Sequence, residues 1–267
     1  MTAGVGTMLR QWRSQRSMSQ LDLAYEVGVS PKHLSFIETG KSIPSPNLIE
    51  ALSVRLDIPL RERNALLLAA GHAPRYSEQS LDAASMDRVR TSVQRVLDAH
   101  NPSPGLALDR AWNVVLANES ARSLAAMLPP HLTGPPFNLF RASLHPDGFA
   151  KITVDFDIWA SYLLMTLRRL VSITGDPRLV DLEREVTGYP TVDDLERRSP
   201  RTAERDPGLL VPFAIRSGEN VLSFFTTLTT FGSPRDITLE EMTIELFYPS
   251  DDATERILTR HTHPHTV

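Results

Sequence analysis

Ser19–Gly40, SQLDLAYEVGVSPKHLSFIETG, is the stretch from which the rest of the chain is read. Apolar residues stand at Leu23, Val27, Val29, Leu34 and Ile37, a spacing that closes one small core when two short helices meet across a tight turn. Ala24 falls where the helices cross closely, and Gly28 can take the positive φ that ends the first of them. Ser30 caps the second helix, and Pro31 occupies its first turn, where a missing N–H costs nothing. With Leu34 and Ile37 turned inward, Lys32, His33 and Ser35 remain outside near the start of that second helix.

The flanking residues extend the pattern. Residues 5–16 read as a preceding helix, with Val5, Met8, Leu9 and Trp12 inward and Arg10, Arg13 and Arg16 outward, either as a solvated face or as phosphate contacts. Leu48, Leu52, Val54 and Leu56 continue a fourth helix, and Arg61 to Ala70 makes a fifth, ended by Gly71. Together with LRQWRSQRSMSQ, ETGKSIPSPNLIEAL and LRERNALLLAAGHAP, the stretch resembles the helix-turn-helix of the Xre/Cro family of bacterial and phage repressors. The resemblance implies an all-α, five-helix DNA-binding head over residues 1–75, with the third helix in the major groove. Lys32, His33 and Ser35, following the Ser30 cap, are then expected at base edges or adjacent phosphates. Gln20 takes a backbone-phosphate role from the resemblance, and Arg13 is placed beside it. Lys41, Ser42 and Asn47, in a Pro-punctuated loop, are expected to clamp the DNA backbone beyond the groove. Phe36 has two readings, core or thymine-methyl contact, and core is preferred. Gly40-Lys41-Ser42 imitates the end of a phosphate-binding loop, but Ser35 stands where that motif needs glycine, and a helix precedes it rather than a strand.

The chain of 267 residues accommodates two domains, and its 41% hydrophobic and 22% charged content is that of an ordinary globular protein. No apolar run approaches the roughly 18 residues of a membrane span, and no signal-peptide pattern opens the chain, so a cytoplasmic protein without membrane association is expected. The absence of cysteine excludes disulfides and thiolate metal sites. The net charge of −4 divides unevenly: residues 1–75 hold nine Lys/Arg and six Asp/Glu, a balance of +3, which leaves −7 for the remainder. A weakly basic head on an acidic body suits a protein whose head binds phosphates and whose body does not.

Beyond a polar joint containing Pro74, Leu81–His100 reads as an amphipathic connector helix through Val89, Val93, Val96 and Leu97. It can transmit movement, pair with its twin in a dimer, or simply pack on the body. Residues 76–104 form this connector and linker, broken at Asn101-Pro102-Ser103-Pro104-Gly105. GLALDRAWNVVLAN, Gly105–Asn118, has strand character on both sides of Asp109-Arg110, and Asn118 can cap a helix running to Met127. This hairpin and the later NLFRASLHPDG, behind an Xre-type head, resemble the MmyB-like regulators. That resemblance implies an α+β, PAS-like sensor over 105–260 and a fatty-acid-type or other hydrophobic effector. A long helix over Val154–Ile173, another from Asp176-Pro177 to about Thr187, and strands near 209–216, 220–231 and 237–248 follow. With the hairpin they predict a five-stranded antiparallel sheet. The charged, turn-rich 192–207 reads as a surface excursion, and 261–267 as a disordered tail.

Phe137, Phe140, Trp159, Leu163, Phe213, Phe224 and Phe225 supply either a plain core or, for a subset, the lining of an apolar pocket. A carboxylate ligand needs a polar anchor, for which Arg168 is chosen, with Arg141, His145 and Arg169 as other candidates. His261, His263 and His265 alternate in the tail but do not define a metal site, and no metal or cofactor is expected. No HExxH, GxSxG or dinucleotide glycine pattern occurs, so catalysis is not expected. The expected function is transcriptional regulation as a homodimer on a palindromic double-stranded operator, repressing until a hydrophobic small molecule binds. A body that binds a partner protein, or one that acts on a bound lipid, are the alternatives.

Overall fold

Three serines set the start of three consecutive helices. Ser19 Oγ accepts from the Asp22 amide at 3.1 Å, Ser30 Oγ from His33 at 3.1 Å and Ser45 Oγ from Leu48 at 3.3 Å, so each cap satisfies an amide that the helix itself cannot. A computed structural model describes residues 4–198 and 211–262. In chain order it contains α1 (Val5–Gln15), α2 (Gln20–Glu26), α3 (Pro31–Glu38), α4 (Pro46–Arg55), α5 (Leu60–Ala69) and α6 (Asp87–Ala99). Next come β1 (Gly105–Leu108), β2 (Val114–Ala117), α7 (Glu119–Ala125), α8 (Pro130–Thr133), α9 (Leu139–Leu144), β3 (Thr153–Val154), α10 (Phe156–Thr174), α11 (Pro177–Thr187) and α12 (Pro190–Arg198). The chain closes with β4 (Phe213–Ser217), β5 (Asn220–Thr230), α13 (Ile237–Glu240), β6 (Thr243–Pro249) and α14 (Asp252–Thr262). The contacts divide these elements into two units, one comprising residues up to Ala83 with Phe231–Glu241, the other Ala84–Thr230 and the chain from Met242.

In the first unit α1–α5 enclose a core of Leu9, Leu23, Ala24, Leu34, Ile37, Ile49, Leu52, Leu56, Leu66 and Leu67. Val27 and Val29 pack at its margin, whereas Val54, expected inside, is exposed. Gly28 has φ +73° and ends α2 as its sequence position implies. Gly6 has a sharper steric reason: a Cβ there would lie 2.1 Å from the Ile37 carbonyl oxygen, so α1 and α3 approach too closely for any side chain. Residues 231–241 return to this unit. The Ile237 amide donates to the Ser77 carbonyl at 2.9 Å, Thr238 Oγ1 to the Gln79 carbonyl at 2.7 Å, and the Leu60 amide at the start of α5 to Glu240 Oε2 at 2.8 Å. The Arg61 guanidinium is held by both carboxylate oxygens of Glu241, at 2.6 and 2.9 Å, and pairs also with Glu78.

The second unit is built on an antiparallel sheet of six strands, ordered β2-β1-β6-β5-β4-β3, against the five expected. The addition is the two-residue edge strand β3, which pairs Thr153 with Ile215 and Val154 with Ala214. The last strand also starts later than expected. Asp236 accepts from the Thr238 amide at 2.9 Å and starts α13, so the strand forms only from Thr243. The first part of the predicted surface excursion is α12, and residues 199–210 lie outside the described residues, as do 263–267. Helix α14 carries the chain through the start of the expected tail. One face of the sheet packs on α10, with Trp159, Ala160, Leu163, Leu164 and Leu167 against Phe213, Ile215, Phe224 and Phe247 in a single core. Asn118, fully buried, caps α7 through the Ala121 amide at 2.9 Å and donates to the carbonyls of Leu97 and Ser103 at 3.0 and 2.8 Å. That one side chain ties α6, α7 and the entry to β1 together.

Candidate nucleic-acid interface and ligand-binding core

Helix α3 divides cleanly by burial. Leu34 and Ile37 are inaccessible, Lys32 is exposed, and His33 and Ser35 are half-buried beside it. Phe36 departs from the preferred core reading: it is 38% exposed, and Lys32 Nζ and Lys41 Nζ each stand 5.7 Å from its ring centre. The turn after the helix brings Lys41 to the ring. Gly40 at φ +73° reverses the chain, and the amides of Lys41 and Ser42 both donate to the Phe36 carbonyl, at 2.8 and 3.1 Å. Two ammonium groups thus flank an aromatic face on the outer surface of α3, a cation–π arrangement that concentrates positive charge there. Ser42 is half-buried next to it, and Ser30 is exposed as the cap of α3. Asn47 is exposed, its Oδ1 accepting from Arg75 at 3.0 Å.

Of the three arginines expected outside, Arg10 and Arg16 are exposed and Arg13 departs from that reading. Arg13 turns inward, its guanidinium donating to Glu38 at 2.6 and 2.9 Å and to the Met18 carbonyl at 2.7 Å. Gln20 Nε2 donates to the same Glu38 carboxylate at 2.7 Å. Arg16 bonds the carbonyls of Leu56 and Asp57, at 2.9 and 3.0 Å. Glu38 is 7% exposed, and burial pushes its carboxyl up, but the bonds from Arg13 and Gln20 and the nearby arginine charge outweigh burial and hold it below the usual carboxylate range. Arg13 and Gln20 therefore support the C-terminal end of α3. A carboxylate buried under a helix end attracts the nearest cation more strongly than solvent does, and residue spacing alone cannot reveal that.

In the second unit Phe140, Trp159, Leu163, Phe213 and Phe224 all lie in the core, while half-buried Phe137 packs beside it against Leu128, Ala142 and Phe149. The Trp159 and Phe213 rings lie 4.8 Å apart, and Phe213 and Phe247 5.7 Å apart. Phe225 is on the opposite face of β5, stacked on Tyr248 at 5.2 Å, because successive strand residues alternate. Arg168 is also not in the core: it is half exposed and paired with Glu183 at 3.3 Å across α10 and α11. Arg141 is held by Glu185 at 2.8 and 2.7 Å, and Arg169 is exposed. A cleft of about 320 Å³ opens beside β2 and α7, lined by Leu106, Val114, Ala117, Ala121, Ala125 and Phe137 among others.

Comparison with known families bears on both units. The description "MmyB-like transcription regulator ligand binding domain" matches residues 89–260, more than half of the chain, and "Helix-turn-helix" matches residues 9–63. The chain belongs to the MmyB-like transcription regulators. No curated protein matches it. A helix-turn-helix head and a regulator-type ligand-binding domain make this MmyB-like regulator a DNA-binding transcription regulator that carries a ligand-binding domain. Among its described residues no helix is long and apolar enough to cross a membrane.

Three features of this regulator were not read from its sequence. Glu245, in the middle of β6, is buried on the sheet face it shares with Phe247, while its neighbours Ile244 and Leu246 take the other face, where Leu246 and Leu97 of α6 close over Gly105. Tyr162, one turn beyond Trp159, stands with its ring 5.4 Å from the indole. Its hydroxyl is pushed up by burial and by the Glu245 charge. His131, His145 and Asp147 bring their ligand atoms within 4.8 Å of one another at the surface, although His145 Nδ1 already accepts the Asp147 amide at 3.1 Å. The alternation of β6 was the available signal for Glu245, since Ile244, Leu246 and Tyr248 share one parity and Glu245 and Phe247 the other.

Proposed function

We propose that this regulator is a homodimeric repressor that reads a palindromic operator through α3 and releases it when a hydrophobic, acyl-type small molecule binds the second unit. The observation that carries the DNA-binding surface is the outer face of α3, where Lys32, Phe36 and Lys41 are grouped while Leu34 and Ile37 close the core behind them. Lys32, His33 and Ser35 face the base edges in this reading, with Phe36 available to a thymine methyl. Ser30, Lys41, Ser42 and Asn47 meet the backbone, and Arg13 and Gln20 act by holding Glu38. A single small head buries too little DNA for high specificity, and two heads reading half-sites about 34 Å apart supply it. The aromatic core and the adjoining cleft of the second unit support an apolar effector.

The test is an operator selected from random duplexes and titrated with protein by fluorescence anisotropy. Lys32→Ala combined with His33→Ala is expected to weaken the selected site by about 1–3 kcal/mol for each lost base contact, with an unchanged unfolding temperature. An unchanged affinity for the selected site would overturn the assignment of α3.

A further inference from the structure

Among the described residues one group of metal-ligating side chains converges. His131 on α8, His145 just after α9 and Asp147 two residues further bring their ligand atoms within 4.8 Å of one another. Neither the DNA-binding surface nor the apolar core uses them. The sequence itself fixes the turn that carries two of the three. His145 precedes Pro146 and leaves the helical region at ψ 140°, which ends α9. The chain then folds back onto that helix: the Gly148 amide donates to the His145 carbonyl at 2.8 Å, and a Cβ on Gly148 would lie 2.3 Å from the Ala142 carbonyl oxygen. Within the turn the Asp147 amide donates to His145 Nδ1 at 3.1 Å. The half-buried His145 ring also makes edge contacts with two others, His131 at 5.4 Å and Tyr189 at 4.9 Å. Arg141, the cation on α9, is committed to Glu185 at 2.8 and 2.7 Å. His131 and Asp147 are exposed, and their side chains are free to rotate toward a common centre.

We propose that His131, His145 and Asp147 bind a zinc ion, with a fourth position open to water or to a group from outside. Two imidazoles and a carboxylate are a donor set for a borderline divalent ion such as zinc, whereas magnesium and calcium take oxygen ligands. Bonds of about 2.0–2.2 Å put tetrahedral ligand atoms about 3.4 Å apart, so the group tightens by roughly an ångström around the ion. The ring nitrogen of His145 that accepts a hydrogen bond is the one that carries the lone pair. Zinc therefore binds His145 through Nδ1 and takes the place of the Asp147 amide there. The ion links α8 to the turn after α9, independently of the DNA-binding surface and of any apolar effector.

Zinc chloride is titrated into the metal-free full chain by calorimetry, with magnesium chloride as the control. Zinc is expected to bind and to raise the unfolding temperature, and magnesium to do neither. His131→Ala and Asp147→Ala, both at exposed positions, are each expected to weaken zinc by at least about tenfold, since losing even an outer partner of a metal ligand costs that much. Without zinc both variants are expected to unfold at the same temperature as the unsubstituted chain. With isotope-labelled histidine, zinc is expected to shift the ring nitrogens of His131 and His145 and to leave His33, His72 and His100 in place. The histidines near the C-terminus are the competing ligands, so a chain with His261→Ala, His263→Ala and His265→Ala is titrated in parallel and is expected to keep its zinc affinity. No zinc binding, equal binding of magnesium, or an affinity undiminished by His131→Ala and Asp147→Ala would overturn the site. Loss of zinc in the triple variant alone would overturn it by placing the ion on the C-terminal histidines.

Discussion

Glu245 and Glu38 show how the same residue type is treated in opposite ways by its surroundings. Glu38 is buried with Arg13 and Gln20 on its carboxylate and stays ionised, whereas burial outweighs the single bond from Thr226 and raises Glu245 to about 7. The folded state therefore holds the Glu245 proton more tightly than the unfolded chain, so stability is lost as pH rises from the ordinary carboxylate range through about 7. Glutamine does not titrate. The stability of Glu245→Gln relative to the unsubstituted protein is expected to increase by about 3 kcal/mol between about pH 4 and about pH 8, measured by urea unfolding without ligand. A difference that does not vary with pH would show that the carboxyl is not desolvated. Glu38 has the other sign: its contribution is present above the ordinary carboxylate range and is lost as pH falls below it.

Among the elements, β5 and β6 are joined by a segment that folds with the helices of the first unit. The short α13 and its neighbours are fixed to α5 by Arg61–Glu241 and Leu60–Glu240, and to the following chain by Ser77–Asp236 and Thr238–Gln79. Two strands of the ligand-binding sheet are thus covalently continuous with residues held by the DNA-binding unit. Arg61→Ala removes the ion pairs with Glu241 and Glu78 without touching the α1–α5 core. Amide hydrogen exchange across residues 231–241 is expected to rise by about tenfold or more, while α2 and α3 keep their protection. Equal protection in both proteins would mean that Ile237 burial and the backbone bonds hold the segment alone. Helix α3 makes a related point about turns: Lys32 reaches Phe36 from one turn earlier in the helix, and the turn at Gly40 brings Lys41 as the second cation.

At the scale of the whole molecule, a dimeric reader must match the helical repeat of its operator. Inserting about five base pairs, half a helical turn, between half-sites is expected to reduce affinity at least tenfold, and about ten to restore much of it. An affinity indifferent to spacing would point to a monomeric reader. The head was legible because its determinants are local: the caps at Ser19 and Ser30, the positive φ of Gly28, and Leu23, Leu34 and Ile37 all fall within one short stretch. The same holds for the Asn118 cap and for the aromatic residues of the second core, where composition and strand alternation are enough. The partners that set the sites are remote in sequence. Arg13 and Glu38 are 25 residues apart and Arg61 and Glu241 are 180 apart, and only folding places them within hydrogen-bond distance. By itself the sequence determined a helix-turn-helix head and an α+β body, since helix caps, glycine conformation and apolar periodicity act between near neighbours. Tertiary structure alone decided that Arg13 supports α3, that Phe36 faces outward and that Glu245 faces inward, because desolvation and charge pairing depend on what the rest of the chain brings alongside.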